Sequence, residues 1–261
     1  MVVRSGSDTW FLGAGTDGSV WIRTERLGFR RLTPRGTVCQ AVSGAVAGRV
    51  LRIACRSGSG RRLLTGKAQL SPGALPDPIT RLSDRGGQLL AGTGPAVSVS
   101  AGAAQYTFVG ADHAVYRWTD AAGTTRFGGA PTCYGSPVVD AGGRVLACAD
   151  SAARLQVLRA GSTGYLTLPG VVRGRPGVAV DRSGATRYYV VGKDGGSARP
   201  PRVPTGRSPG TRCPGESGPR RRASPRSASR RGRGAHHPLR AEPGLLGEGT
   251  WLRSWGGLGP G

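Results

Sequence analysis

Across residues 2–196 the chain is built of short apolar runs rich in Val, Leu, Tyr and Thr, each broken after a few positions by Gly, Asp, Ser or Pro. Alternation over so few residues, bounded by turn formers, predicts many short β-strands. No segment holds a helical period through three turns, so this part of the chain is predicted to be all-β. From residue 197 the alternation stops. The text becomes SARPPRVPTGRSPGTRCPGESGPRRRASPRSASRR and its continuation, with almost no β-branched residues and too little apolar surface to fold.

The strand pattern repeats. VVRSGSDTWFLGAGTDGSVWIRT (2–24) aligns without a gap on VSVSAGAAQYTFVGADHAVYRWT (97–119), 95 residues further on. The same offset brings Cys39 near Cys133, GRVL at Gly48 onto GRVL at Gly143, Cys55 near Cys148, and LSPG at Leu70 near TLPG at Thr167. A shorter period lies inside it, because GPAV at Gly94, SPVV at Ser136 and RPGV at Arg175 each introduce a strand. Spacings of about 40 to 50 residues are those of one four-stranded propeller blade. The expected units are 2–36, 37–87, 88–129, 130–170 and 171–196, an incomplete β-propeller of about four to five blades, followed by a disordered tail at 197–261. In each copy Asp17-Gly18 or Asp112-His113 is expected in a hairpin, with Val20 or Val115 facing the core and Trp21 or Tyr116 facing the other way. A third copy, GKDGG from Gly192, starts the turn and then lacks the valine and the aromatic residue. By the same alignment Met1 falls inside a blade. The expectation is therefore an internal piece of a longer propeller, with open strand edges that promote association.

Composition changes the picture mainly in the tail. Of 37 basic residues only Lys67 and Lys193 are lysines, and the formal charge is +23. An Arg-rich arm such as RRRASPRSASRRGRG can grip nucleic acid non-specifically. The reading put ahead of it is an out-of-frame translation of a GC-rich gene, whose shifted codons yield mostly Arg, Pro, Gly, Ala and Ser, and a solvated tail without a partner also comes before it. The chain has no apolar run near the roughly 18 residues that span a membrane, and its first residues are not expected to act as a signal peptide, since no charged start leads into an apolar run.

The cysteines sharpen the expected compartment. Cys39 and Cys55, and Cys133 and Cys148, occupy equivalent places in the repeat on strands expected to be neighbours. Two disulfides are the expected state, with buried free thiols as the alternative. Zinc is poorly supported, because no pair lies two to four residues apart. Disulfides imply an oxidising compartment, so the parent protein is expected to be extracellular, with its signal upstream. Cys213 has no partner and belongs to the tail.

The phrase GTDGSVWIR, followed by a link ending in Gly36, Gly87 or Gly129, resembles the bacterial seven-bladed β-propeller lectins of the fucose-binding type and is similar to tectonin-type repeats. The resemblance covers residues 2–196 and is good in the first and third units. It implies a propeller that binds carbohydrate or a cell-surface glycan in clefts between blades, with Trp21, Tyr116 and Trp118 as the matching aromatic residues. The family's tryptophan before the Gly doublet is replaced near Phe29, Thr80 and Arg126, and the cysteine pairs are additions. Asp17, Asp112 and Asp194 recur at one turn position, which makes them turn formers before sugar ligands. Trp10, Trp21 and Trp118 can serve as blade packing as well as platforms. A propeller glycosidase would need unlike carboxylates close together, and the body has one glutamate, Glu25. His113 has no nucleophile motif near it, and no cofactor motif is present. The reading is a non-catalytic lectin-like fragment with no cofactor. Nucleic-acid binding through the tail and a propeller-type glycoside hydrolase fragment are its alternatives.

Overall fold

A computed structural model describes residues 2–5, 8–24, 26–71, 73–128, 133–162, 164–180, 185–192 and 197–198. All of them belong to one compact unit, Met1–Ser208. Glu25, Lys193, Asp194, Cys213 and the remainder of the basic tail lie outside the described residues.

The described residues form strands and no helix, in four antiparallel sheets arranged as a β-propeller. The first sheet is β1 (Val2–Ser5), β2 (Asp8–Ala14), β3 (Val20–Thr24) and β4 (Gly28–Arg31), in that order. The second is β5 (Cys39–Ala47), β6 (Val50–Ser57), β7 (Leu63–Gln69) and β8 (Ser83–Asp84). The third is β9 (Ala96–Ser100), β10 (Ala103–Val109), β11 (Val115–Thr119) and β12 (Gly123–Arg126). The fourth begins with β13 (Val138–Val139), β14 (Val145–Ala149) and β15 (Arg154–Arg159). It continues through the long β16 (Leu166–Val180) into β17 (Thr186–Gly192) and β18 (Ser197–Ala198). No helix of the described residues is long and apolar enough to cross a membrane.

Each sheet is a meander, and the first strands meet in sequence: β1 against β5, β5 against β9, β9 against β13. Those strands are therefore nearest the common axis. The Pro-containing segments that introduce them converge there. The Gly94 amide donates to Ser136 Oγ at 2.9 Å, and the Arg175 guanidinium donates to the carbonyls of Pro95 (3.1 Å) and Pro137 (3.0 Å). Gly94 is required by closeness, since a Cβ there would sit 2.7 Å from that of Ala41.

A blade is buried on both faces, so its middle strands need apolar residues at both parities. In β6, Leu51, Ile53 and Cys55 pack towards the first sheet with Val20, Ile22 and Leu12, while Ala54 packs towards Tyr106 and Phe108 of the third. In β14, Leu146 and Cys148 join Val109 and Val115 of the third sheet. Val145 and Ala147 face the other way, where Val172 and Tyr188 from β16 and β17 cover them.

The 95-residue repeat is visible in the strand register. Phe11 pairs with Arg23 and Gly13 with Trp21, as Tyr106 pairs with Trp118 and Phe108 with Tyr116. Cys39–Cys55 and Cys133–Cys148 are disulfides, with Cα atoms 5.6 Å and 5.7 Å apart. Each first cysteine also fixes a seam between blades, because the Cys39 amide donates to the Gly18 carbonyl at 2.9 Å and the Cys133 amide to the His113 carbonyl at 3.3 Å.

Candidate functional site

The repeated motif forms one hydrogen-bonded unit. The Gly15 amide donates to the Ser19 carbonyl at 2.8 Å and the Gly18 amide to the Gly15 carbonyl at 3.0 Å. The Asp17 carboxylate accepts from the Ser19 amide (3.0 Å), the Ser19 hydroxyl (2.9 Å) and the Trp21 indole. In the third sheet the Asp112 carboxylate accepts from the Ala114 amide (3.2 Å) and the Tyr116 hydroxyl (2.8 Å). The left-handed position is Gly18 or His113, the residue after the aspartate, with φ of 74° and 63°. The aspartate's part is to accept.

These bonds set the protonation of the turn. The Ser19 amide, then its hydroxyl, hold the Asp17 carboxyl below the usual carboxylate range against a smaller upward push from burial. At Asp112 burial is the largest influence and raises the carboxyl, but the combined bonds from Tyr116 and the backbone leave it lowered. The Tyr116 phenol is pushed up, chiefly by its bond to Asp112.

The first glycine is needed because the ring lies across it. A Cβ on Gly15 would sit 2.7 Å from both Asp17 Oδ1 and Trp21 Nε1. One on Gly110 would sit 2.6 Å from Asp112 Oδ1 and 2.7 Å from the Tyr116 ring. Gly15→Ala is therefore expected to displace the indole and cost about 1–3 kcal/mol of stability, as overpacking does. Thermal melting together with the near-UV circular dichroism of the tryptophans checks this.

Trp21 borders an open cleft of about 570 Å³, lined by Asp17, Trp21, Phe29, Arg30, Arg31 and Arg35. Phe29, on the edge strand β4, is 52% exposed, with the Arg23 guanidinium carbon 5.0 Å from its ring centre. Arg30 is tied to the next blade through the carbonyls of Leu75 (3.4 Å) and Pro76 (3.1 Å). Arg31 lies 5.9 Å from the Trp21 ring centre. A second hollow of about 450 Å³ opens on the other side of Asp17, along the seam, against Gly18, Val38 and Gln40. At the equivalent seam of the third sheet, His113 stacks on Tyr134 with ring centres 3.9 Å apart.

The three expected aromatic residues thus have different surroundings. Trp21 is half-buried beside the cleft. Tyr116 is half-buried, stacked on Phe108 at 5.6 Å. Trp118 is 8% exposed, packed on Tyr106, with the Arg85 guanidinium carbon 4.3 Å from its ring centre. The structure does not bring Trp21 together with Tyr116 and Trp118, which belong to different sheets. The cleft's arginines were not singled out in the sequence, where GFRRLTPR carries no motif of its own; the only signal is its position just after the repeated motif. Three residues past the left-handed residue, where blades one and three carry an aromatic, the second sheet has Leu64 after Arg61 and the fourth has Gln156 after Ala153.

No protein family matches the chain, and no curated protein matches it. Solved structures do. The lectin SapL1, in complex with alpha methyl fucoside, is 13% identical with a TM-score of 0.50, over 76% of this chain and 78% of that one. A Bacteroides thetaiotaomicron VPI-5482 structural genomics protein of unknown function is 12% identical with a TM-score of 0.50, over 76% of this chain and 57% of that one. Bacteroides ovatus xyloglucan PUL GH43B is 11% identical with a TM-score of 0.49, over 76% of this chain and 48% of that one. At these identities the likeness shows the fold, a β-propeller, and the fold alone.

Proposed function

We propose that this chain binds carbohydrate without transforming it, through the Trp21 face of the first blade and the related Tyr116 face of the third. The observation that carries the reading is the aromatic ring held rigidly by its Asp and Gly partners at the rim of an open cleft. Rings of this kind stack on the C–H face of a sugar, while neighbouring polar groups take the hydroxyls. Trp118, buried under Arg85, is read as support for the seam beside Tyr116 rather than as a contact. The fold neighbour crystallised with a fucoside adds support of a general kind. The Asp17 and Asp112 carboxyls are held low and committed to their turns, whereas glycoside hydrolysis requires one carboxyl raised to act as an acid. Two disulfides support an oxidising, extracellular setting.

A glycan array probed with the full chain tests this. Trp21→Ala is expected to lower binding roughly tenfold or more, the loss of one stacked platform, with a cooperative melt recorded alongside to show that the variant is folded. Tyr116→Ala should remove a further part of the signal. An array pattern unchanged by both substitutions would sink the reading.

A further inference from the structure

We infer that the cleft beside Trp21 selects anionic saccharides, sugars carrying a carboxylate or a sulfate, over their neutral counterparts. The inference rests on the carbohydrate reading of Trp21 and adds a ligand class to it. Three guanidinium groups, Arg30, Arg31 and Arg35, line the cleft with a single carboxylate, Asp17. Asp17 is already engaged by Ser19 and Trp21 within its own turn. The arginines seen in ion pairs with Asp84, Asp120, Asp140 and Asp150 are Arg62, Arg85, Arg144 and Arg154, away from the cleft.

The placement of the cations decides the class of ligand. Arg30 is anchored to the carbonyls of Leu75 and Pro76, groups that hold it without cancelling its charge. The Arg31 guanidinium carbon stands over the Trp21 ring, 5.9 Å from its centre. Arg35 is exposed on the turn that follows. A pyranose entering beside the indole would therefore meet the Arg31 guanidinium at the ring and Arg35 in the same cleft, two planar forks suited to carboxylate or sulfate oxygens. A neutral sugar would leave three guanidinium groups facing one carboxylate, Asp17, which Arg31 already influences and which is bonded within its own turn.

Titration calorimetry of the full chain at low salt tests the inference with monosaccharides, each offering at most one anionic group. The probes are methyl glucuronide, a galactose 6-sulfate glycoside, and the neutral methyl glucoside and methyl galactoside. Each anionic sugar is expected to bind about tenfold more tightly than its neutral partner, the effect of a charge-assisted contact. Raised salt should shrink the preference. Arg31→Gln with Arg35→Gln should abolish it, bringing each anionic sugar to the affinity of its neutral partner, while Arg31→Lys with Arg35→Lys should retain most of it. The glucuronide and sulfate arms show which anion is favoured. A preference that survives the glutamine variant belongs to the tail and overturns the inference. So does equal binding of charged and neutral sugars by the parent, which leaves the carbohydrate reading standing. Binding of neither class refutes both. If a short single-stranded DNA displaces the glucuronide and loses its own affinity in the glutamine variant, the cleft is a phosphate site and the inference fails.

Discussion

Replacing Asp150 by alanine is expected to destabilise the protein by about 3 kcal/mol, because a buried carboxylate with charge-assisted partners is removed and the donors it served stay behind. Asp150 is 8% exposed. Its Oδ1 accepts from the Ala152 amide (2.9 Å) and the Arg154 amide (2.8 Å), and its Oδ2 from the Arg154 guanidinium and the Gln156 amide group, both at 2.8 Å. The side chain stands in the fourth sheet where Gly15 and Gly110 stand in the first and third, since its own amide donates to the carbonyl four residues on, as theirs do. Blade four thus takes its turn carboxylate from the first position of the turn, and Gln156 replaces the aromatic residue as its partner. Burial alone would raise the Asp150 carboxyl; its hydrogen bonds from Arg154 and Gln156, together with the Arg154 charge, outweigh burial and leave it lowered. Asp84 and Asp112 are lowered by the same balance, and Asp17 is lowered chiefly by its Ser19 bonds. A carboxyl lowered in the folded state adds stability that is present above its unfolded pKa and is lost as pH falls through the folded one. Stability is therefore expected to hold from neutral pH to the top of the ordinary carboxylate range and to fall below it. Denaturant melts against pH should show this fall in the parent and a shallower one in Asp150→Ala. Equal stability of the two proteins at neutral pH would contradict the assignment.

Loss of either disulfide is the other large expected effect. Each closes a loop of similar length, with sequence separations of 16 and 15, and chain entropy alone assigns about 3 kcal/mol to such a loop. The consequence extends beyond one blade, since Cys39 and Cys133 also carry the amides that hold Gly18 and His113 of the preceding sheet. Cys39→Ala with Cys55→Ala should lower the denaturant midpoint and loosen the first seam. The Cys133 and Cys148 pair should do the same at the third. Reductant should lower the parent towards each double variant, and a parent insensitive to reductant would show that the bridges contribute nothing.

The blade plan was legible because its determinants are local. Gly15, Asp17, Val20 and Trp21 interact within one hairpin, so the same spacing at Gly110, Asp112, Val115 and Tyr116 announces the same structure. Blades two and four were harder to place, since Arg61 and Ala153 occupy left-handed positions at φ of 50° and 58°, where glycine would have signalled a turn. His113 holds such a position too, helped by its stack on Tyr134, a contact between blades. The long β16 could not be foreseen from its own residues: Leu168 and Val172 are buried because β15 and β17 flank that strand. The cleft was hidden for a related reason. It forms where β4 and the following turn fold beside the Asp17 hairpin, and no linear pattern announces that Arg31 will stand over Trp21.

A crystal of the full chain soaked with methyl glucuronide and with methyl fucoside tests the central claim most directly, by locating a bound sugar. The account predicts a pyranose lying against Trp21 within the cleft bounded by Phe29 and the three arginines. A sugar bound only elsewhere, with the indole face bare, or crystals that take up neither sugar at concentrations well above those used in solution, would contradict it.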